Sequence, residues 1–320
     1  MEFDNKWPTA DGRQLTTKKI NAKINDNYYL CGSNFYDMKR TNLTRFLCVL
    51  TSISMVLLMS SCVKKSLSTS LSKMAPADIE TETINRQDSI SVNGVSICSS
   101  ISADFPKDGC FLAVNSIQEW ISEMLDGTYS GKVSDGKKML NFYVQDKVNF
   151  CKQFLQDAPA GMAFDYDVKI SKEYETETFV TYQCLQETYL GGAHGSHYTA
   201  AQTFRKLDGR RMDWNIFQSN RMDDVRELVS RTIQKSFFNM DDKEFQELKE
   251  GFMNGYFPLP QTMPVFLEKG VLFQYQEYEI APYAEGAPSC VIPYSVLDTL
   301  FSNTGKALLS SEAIAAAVSR

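Results

Sequence analysis

One apolar segment constrains the chain more than any other feature, because it decides which residues take part in the fold. Residues 46–59 form an apolar run of 14 residues behind three basic ones, Lys39, Arg40 and Arg45. A bilayer-spanning helix needs about 20 apolar residues, so a stable transmembrane helix is disfavoured. A basic head, a short apolar centre and small residues before a break point are typical of a secretory signal peptide, which we predict at residues 38–61. The alternative is a buried helix that ends at a cysteine.

The apolar run ends at Met59-Ser60-Ser61-Cys62, a sequence that resembles a bacterial lipobox. In proteins with this motif the signal peptidase cuts before the cysteine, and the thiol then carries diacylglycerol. The resemblance implies a bacterial lipoprotein whose lipidation site is Cys62. We expect it in the cell envelope, anchored to a membrane by its lipid and facing the periplasm or the exterior.

Two segments flank the signal peptide without belonging to a packed domain. Residues 1–37 show no sustained period, and Met38 stands directly before the basic head. We therefore predict that residues 1–37 are a disordered extension or a leader that is not translated. Residues 62–88 are rich in Ser, Thr and Lys and predict a flexible tether. Lys64 and Lys65 stand beside the lipid, where they are placed to touch anionic head groups.

The charge of the exported part selects among classes of partner. The chain of 320 residues has 33 basic and 39 acidic residues; without the residues before Cys62 the counts are 25 and 34, a net charge of −9. Such a chain offers no basic field to a phosphate backbone, which argues against nucleic-acid binding. A basic partner is favoured, because opposite charges speed the encounter.

Beyond the tether, strand-like and helix-like patterns are segregated along the chain rather than strictly alternating. Asn93-Gly94 is a hairpin turn signal, and the spacing of Ile117, Trp120 and Met124 predicts a helix. Segments rich in β-branched and aromatic residues predict the strands. This segregation indicates an α+β fold with mainly antiparallel sheets packed with helices. We predict two successive α+β subdomains and a tail, at residues 89–190, 191–303 and 304–320.

Two motifs carry a family resemblance: Gly-Gly-Ala-His at residues 191–194, and Tyr-Glu-Ile-Ala-Pro-Tyr-Ala-Glu-Gly-Ala-Pro-Ser-Cys-Val-Ile-Pro-Tyr at residues 278–294. They resemble the paired extracellular domains of RsiV-type anti-sigma factors and the non-catalytic domain of PdaC-type peptidoglycan deacetylases. The resemblance runs from residue 89 to residue 301. It implies an envelope-facing module and, in the best-known member, a receptor for lysozyme. Neither deacetylation nor direct transcriptional control is transferred, because the motifs of those relatives' other domains are not found here.

The two motifs also define a candidate binding loop. The Gly-Gly pair permits backbone angles that side chains would forbid, and Pro282 fixes φ before a sharp turn. The alternative is that both motifs are fold signatures, a tight turn and a strand exit. On the binding interpretation the protein is not an enzyme, needs no cofactor, and its partner is a lysozyme-like protein or peptidoglycan. The candidate residues are Gly191, Gly192, His194, His197, Tyr283 and Gly286.

A second hypothesis is a hydrolase or metal-dependent cell-wall enzyme that uses His194. His194 and His197 would seat zinc if Glu187 or Asp213 joined them, but nothing in the sequence positions those acids. No nucleophile motif accompanies either histidine. We therefore predict no catalytic residue and no metal site.

The cysteines of the exported part, other than Cys62, are five in number. Export permits disulfides, and Cys98 and Cys110 would close a short loop, so we predict a bond between them. The odd count leaves at least one thiol free.

Overall fold

A long antiparallel hairpin opens the part of the chain that the structure describes. The computed structural model describes residues 77–252 and 255–309, and for residue 157 only the backbone. The predicted leader, signal peptide, lipidation site and most of the predicted tether lie outside these residues. Strands β1 (Glu80–Val92) and β2 (Val95–Asp108) pair across the Asn93-Gly94 turn. Both turn residues have positive φ, 53° and 80°, as the dipeptide predicts.

The first strand corrects the predicted extent of the tether. Residues 80–88 were predicted to be flexible, yet they form the first half of β1 and pair with β2 along their whole length. The strand is at the edge of its sheet, and Ile84 is its one buried side chain. Its sequence is therefore polar, and the backbone ladder rather than side-chain burial holds it in place.

Five strands form the larger sheet, in the order β1-β2-β3-β4-β5. Every neighbouring pair is antiparallel except β2 and β3, which are parallel. Parallel neighbours need a long crossover, and two helices and a short 3-10 segment supply it. The remaining elements are α1 (Phe111–Met124), α2 (Gly136–Cys151), the 3-10 segment Lys152–Asp157, β3 (Ala163–Glu175), β4 (Phe179–Tyr189) and β5 (Ser196–Arg205).

The first hydrophobic core lies between this sheet and the two helices. Helix α1 buries Ile117, Trp120 and Ile121, so the predicted apolar face is confirmed. Trp120 packs edge-on against Phe204 of β5, with ring centroids 5.9 Å apart.

A smaller antiparallel sheet and short helices make up the second region, which confirms the predicted α+β fold. Its three strands follow the order β6-β7-β8. No helix among the described residues has the length and apolarity to cross a bilayer. The elements are α3 (Met222–Ile233), a π turn Gln234–Phe238, α4 (Asp242–Glu250), β6 (Val265–Leu267), β7 (Gly270–Gln274), β8 (Ser289–Ile292), α5 (Tyr294–Leu297) and α6 (Asn303–Lys306), with 3-10 turns at Trp214–Ile216, Ser219–Arg221 and Tyr283–Glu285.

Stacked aromatic rings dominate the second core. Phe217 lies nearly parallel to Phe273 and to Phe301, at 6.0 and 5.4 Å between centroids, and Phe301 continues the stack to Phe266. Leu308 and Leu309 are buried in the same core. Residues 304–309, predicted to be part of a tail, therefore belong to the packed region, because two consecutive leucines there bury apolar surface.

Buried threonines join the two regions. The Thr181 hydroxyl of β4 donates to the carbonyl of Phe266 in β6 at 2.7 Å, and the Phe266 amide donates to the Thr203 hydroxyl of β5 at 3.0 Å. The Thr181 hydroxyl has one proton, which it donates to Phe266. The hydrogen bond of 2.8 Å between the two threonine hydroxyls is therefore donated by Thr203. The predicted division between residues 190 and 191 falls in the loop between β4 and β5, which are hydrogen-bonded neighbours.

The outer edge of β5 is occupied at several positions. The Gln276 side chain accepts from the amide of Thr199 at 3.1 Å and donates to its carbonyl. Farther along, the Met212 amide donates to the carbonyl of Thr203, and the Arg205 amide donates to the carbonyl of Arg210. Side-chain and loop groups thus satisfy hydrogen-bonding positions that another strand would otherwise fill.

The predicted disulfide between Cys98 and Cys110 is wrong. Both cysteines are free, as are the other three that the structure describes. Cys98 lies near the start of β2 and Cys110 follows its end. An extended strand rises about 3.3 Å per residue, so the twelve positions between them place the thiols tens of ångströms apart.

Candidate functional site

The loop between β4 and β5 turns on consecutive glycines. Gly191 and Gly192 both have positive φ, 89° and 96°, a region that L side chains rarely adopt. The Tyr189 hydroxyl donates to the carbonyl of Gly192 at 3.2 Å and braces the turn. The loop returns into β5 at Ser196, so His194 lies in the loop and His197 on the strand. The backbone requirement that the Gly-Gly pair predicted is confirmed.

A second loop, between β7 and β8, faces the first. Pro282 has φ −66° and precedes the 3-10 turn Tyr283–Glu285, and Gly286 leaves that turn with φ 80°. The Gly286 amide donates to the carbonyl of Tyr283 at 2.9 Å. Tyr278, earlier in the loop, has φ 65°, which is rare for an aromatic residue. Residues 275–280 follow β7 without strand structure, and residues 277–279 form a turn.

Four rings from the two loops come together, and we call them the ring stack: His194, His197, Tyr278 and Tyr283. His194 lies flat against Tyr283, with centroids 3.9 Å apart and planes inclined by 19°. Tyr278 and His197 extend the stack on Tyr283 at 5.8 and 6.3 Å. His194, His197 and Tyr278 are exposed and Tyr283 is half-buried. Residues more than 80 positions apart thus form one continuous surface.

One acid and one amide hold the second loop to β5, and a second acid braces the loop itself. The Glu277 carboxylate accepts from the backbone amide of His197 at 3.3 Å and contacts its Nδ1 at 2.8 Å. Gln276 bonds to the backbone of Thr199, two residues along the same edge. The Glu279 carboxylate accepts from the amides of Gln276 and Gln261, both at 2.8 Å. The ring stack is therefore positioned by hydrogen bonds beneath it.

The hydrogen bonds of His194 define the tautomer of its neutral ring. Nδ1 lies 2.7 Å from the carbonyl of Gly195, and a carbonyl only accepts, so Nδ1 carries the proton. Nε2 is then the acceptor and faces the Tyr278 hydroxyl at 3.4 Å. Both ring nitrogens of His194 therefore have a partner, one a carbonyl and the other a phenol hydroxyl.

The side chains of the two histidines contact a backbone carbonyl, a carboxylate and a phenol hydroxyl, which do not make up a catalytic triad. Neither imidazole is hydrogen-bonded to a serine, threonine or cysteine in the described part of the chain. Glu187 faces His197 only as its partner in the strand register, and the Asp213 carboxylate accepts from the amide of Asn215. Within residues 77–252 and 255–309, no three His, Cys, Asp or Glu side chains converge to hold a metal.

A groove of about 310 Å³ lies along β5 beside the ring stack. Tyr198 forms part of its wall and is 44% exposed, while partial burial raises the pKa of its hydroxyl and keeps it neutral. A larger groove of about 760 Å³ lies elsewhere, between the 3-10 turns at residues 214–222 and α6, and no residue of the ring stack lines it. The groove along β5 is lined by Trp120, Met124, Tyr198, Ala200, Ala201, Gln202, Gln261, Thr262, Met263 and Gln276.

A known protein family matches part of the second region. Residues 215–295 match a protein family described as "Protein of unknown function (DUF3298)". The DUF3298 match contains Tyr278, Tyr283 and Gly286, whereas Gly191 and His194 precede it. No curated protein matches the chain significantly.

A solved structure of one DUF3298 family member shares the fold. A DUF3298 family member from Bacteroides fragilis NCTC 9343 has a TM-score of 0.56 and 16% identity, over 77% of this chain and all of the other. A DUF3298 family protein from Pseudomonas aeruginosa PAO1 has a TM-score of 0.48 and 15% identity, over 71% of this chain and 95% of the other. At these identities the likeness concerns the fold alone.

Sequence reasoning brought together most of the site but missed two residues. The structure unites His194, His197 and Tyr283, and adds Tyr278 and Glu277. Tyr278 opens the longer motif and Glu277 directly precedes it. Neither residue could be found from local sequence, because only the tertiary structure shows that this loop lies on the edge of β5.

Proposed function

We propose that the protein is an exported, lipid-anchored module of the bacterial cell envelope that binds a lysozyme-like protein without catalysing a reaction. The ring stack is the observation that carries the proposal. Two distant segments bring four rings together on the surface, and hydrogen bonds beneath hold them there. Tyrosine and histidine rings with polar tips suit a protein interface, because they bury area and still satisfy hydrogen bonds.

The charge of the exported chain supports a basic partner. The net charge of −9 beyond the signal peptide gives an attractive long-range field toward basic proteins. The resemblance to lysozyme-binding domains points to the same class of partner. The arrangement around His194 supports binding over hydrolysis, because neither ring nitrogen contacts a serine, threonine or cysteine of the described residues.

Peptidoglycan is a second candidate ligand, favoured by the near-parallel rings. Tyr278 and His194 lie within 29° and 19° of the plane of Tyr283, and Tyr278 is 62% exposed. Flat exposed rings of this kind offer faces against which a sugar can pack. This candidate predicts binding to muropeptides in the absence of any protein partner.

The test measures binding of the purified exported protein to a basic muramidase by calorimetry. We expect His194→Ala and Tyr283→Ala each to weaken binding by about 30-fold, as central interface residues do. Tyr256→Ala is the matched control, since Tyr256 is 67% exposed and lies outside the ring stack. Equal affinity of all three variants, or no binding by the native protein, would refute the lysozyme proposal. Retained binding to muropeptides, lost in the same two variants, would select peptidoglycan.

The lipid anchor is tested separately by metabolic labelling with a fatty acid. We expect label on the native protein and none on a Cys62→Ala variant. An unlabelled native protein recovered without its signal peptide would contradict the anchor and leave the binding test unaffected.

A further inference from the structure

Three large apolar side chains are exposed side by side near one end of the larger sheet. Phe111 is 72% exposed, Leu112 50% and Leu207 71%, and we call these three the apolar patch. Phe111 and Leu112 begin α1, and Leu207 lies in the turn that follows β5. Exposed apolar residues are ordinary when scattered, but a contiguous group marks an interaction surface.

Backbone contacts show that the three residues belong to one surface. The Cys110 thiol bonds to the carbonyl of Lys206, next to Leu207. Gly209 of the same turn lies against the carbonyl of Leu112, with no room for a Cβ atom. The turn that carries Leu207 therefore packs directly on the first residues of α1.

The chain enters the domain beside the apolar patch. The Lys206 side chain is fully buried and donates to the carboxylate of Asp78 at 2.9 Å and to the carbonyl of Thr176 at 3.0 Å. The Ile79 amide donates to the Glu175 carboxylate at 2.7 Å. A buried ammonium needs such partners, so residues 78 and 79 are fixed against the turn that carries Leu207.

This entrance lies at a short chain distance from the predicted lipidation site. Fifteen residues lie between the lipidation site Cys62 and Asp78, and the flexible tether predicted from their composition would span about 22 Å on average. A lipid at Cys62 therefore keeps the patch within reach of the bilayer at a high effective concentration, where even weak apolar contacts are populated.

The charges around the apolar patch permit this contact. The flanking side chains balance to zero, whereas the exported chain as a whole carries −9. Approach through this side avoids repulsion between an acidic protein and an anionic membrane. The flanking residues are Lys107, Arg205, Lys206 and Arg210 with Asp78, Glu80, Asp108 and Asp208; Lys107 pairs with Glu80, Arg205 with Asp208 and Lys206 with Asp78.

We propose that Phe111, Leu112 and Leu207 dock onto the lipid bilayer that holds the anchor and so orient the domain on the membrane. The proposal rests on the lipid anchor of the proposed function. It is independent of the ligand, because no residue of the apolar patch belongs to the ring stack.

The experiment uses the acylated full-length protein in vesicles of phosphatidylethanolamine and phosphatidylglycerol. Hydroxyl-radical footprinting with mass spectrometry measures the oxidation rate of each exposed side chain. A protease site inserted between Lys65 and Ser66 releases the domain and gives the lipid-free reference. We expect release to raise the rates at Phe111 and Leu207 at least fivefold and to leave Tyr256 unchanged. Rates at Phe111 and Leu207 that do not change on release would overturn the proposal.

Two further measurements separate the alternatives. A Phe111→Ser/Leu207→Ser variant should make Leu112 as reactive in vesicles as after release, whereas Tyr256→Ser should not; protection of Leu112 in both would overturn the proposal. Protection that persists after release and grows with protein concentration would show that a second copy covers the patch, and would also overturn it. If the protein is acylated but the apolar patch is not protected, this inference alone is wrong. If the protein has no acyl chain, the proposed lipid anchor is wrong as well.

Discussion

The two sheets of the molecule are stabilised in different ways. The larger sheet has strands of 10 to 14 residues, so its backbone ladders are long and its core is completed by two helices. The smaller sheet has strands of only three to five residues, and a continuous stack of phenylalanine rings runs beneath it. Where the ladder is short, packing of side chains and their bonds to backbone groups must supply the cohesion.

The largest effect should follow from removing a ring of that stack. Phe266 is fully buried, stacks on Phe301 and Tyr294, and lies in a strand of three residues. We expect Phe266→Ala to lower the free energy of unfolding by about 3–5 kcal/mol, since no ladder compensates for the cavity. Urea denaturation followed by circular dichroism measures the change. A loss below about 1 kcal/mol would contradict the importance given to the buried phenylalanine stack of the second core.

The junction between the two regions should show the next largest effect. Thr181→Val keeps the shape of the side chain but removes the donor to the carbonyl of Phe266, leaving buried groups unsatisfied. We expect a loss of about 1–3 kcal/mol in the free energy of unfolding. Thr188→Val, in the same strand and farther from the junction, is the control and should change stability by less than about 0.5 kcal/mol. Equal losses in both variants would mean that the buried threonine hydrogen bonds do not couple the regions.

The entrance of the chain into the larger sheet should give a smaller, pH-dependent effect. The hydrogen bond and charge of Lys206 lower the pKa of Asp78 below its ordinary value of 3.8. The ionised form is therefore favoured in the folded state, and its stabilisation is present above pH 4 and is lost as the pH falls through the lowered pKa. Because the Asp78 side chain is largely exposed, we expect Asp78→Asn to cost at most about 1 kcal/mol near pH 7.

Denaturation of both proteins between pH 3 and pH 7 tests this expectation. The difference in unfolding free energy should be constant from pH 5 to pH 7 and should shrink below pH 4. A difference that grows at low pH would reverse the assigned sign.

Thiol labelling compares the interiors of the two regions. It measures the accessibility of the cysteines and involves no change in stability. Burial raises the pKa of Cys151 to about 11 in the first core, and the pKa of Cys184 and of Cys290 to about 12. At pH 8 these thiols are protonated and inaccessible, whereas Cys98 and Cys110 are half-buried. We expect a maleimide reagent to label Cys98 and Cys110 first, and the others only in denaturant. If neither is labelled in the native protein, the accessibility that we assign to these two thiols is wrong.

Long periodic segments of the fold were predictable from the sequence, because burial imposes a period that can be read directly. The face of α1, the Asn93-Gly94 turn and the glycine turn before β5 are of this kind. The start of α1 was not, since Phe111 and Leu112 are exposed and Cys110 offers no side-chain cap. The first half of strand β1 was not predicted, because an edge strand with polar side chains has the same composition as a flexible tether.

The candidate site was predictable in its motif residues but not in its geometry. His194 and Tyr283 are 89 positions apart, and nothing local in the sequence brings their rings into contact. The role of Glu277 depends on the outward-facing amide of His197, which follows from the pairing of β4 with β5. The disulfide failed for a related reason: a short separation in sequence was taken for a short loop, whereas the intervening chain is extended.

The occupied edge of β5 limits how any partner can be recognised. Many binding modules capture a peptide by letting it join a sheet as one more strand, which requires unpaired amides and carbonyls. Here the side chain of Gln276 bonds to the backbone of Thr199 as an added strand would. The segment 210–212 bonds to the backbone of β5 farther along. A ligand at the ring stack must therefore be recognised by shape and side-chain chemistry, and the same hydrogen bonds hinder pairing of another strand at this edge of the sheet.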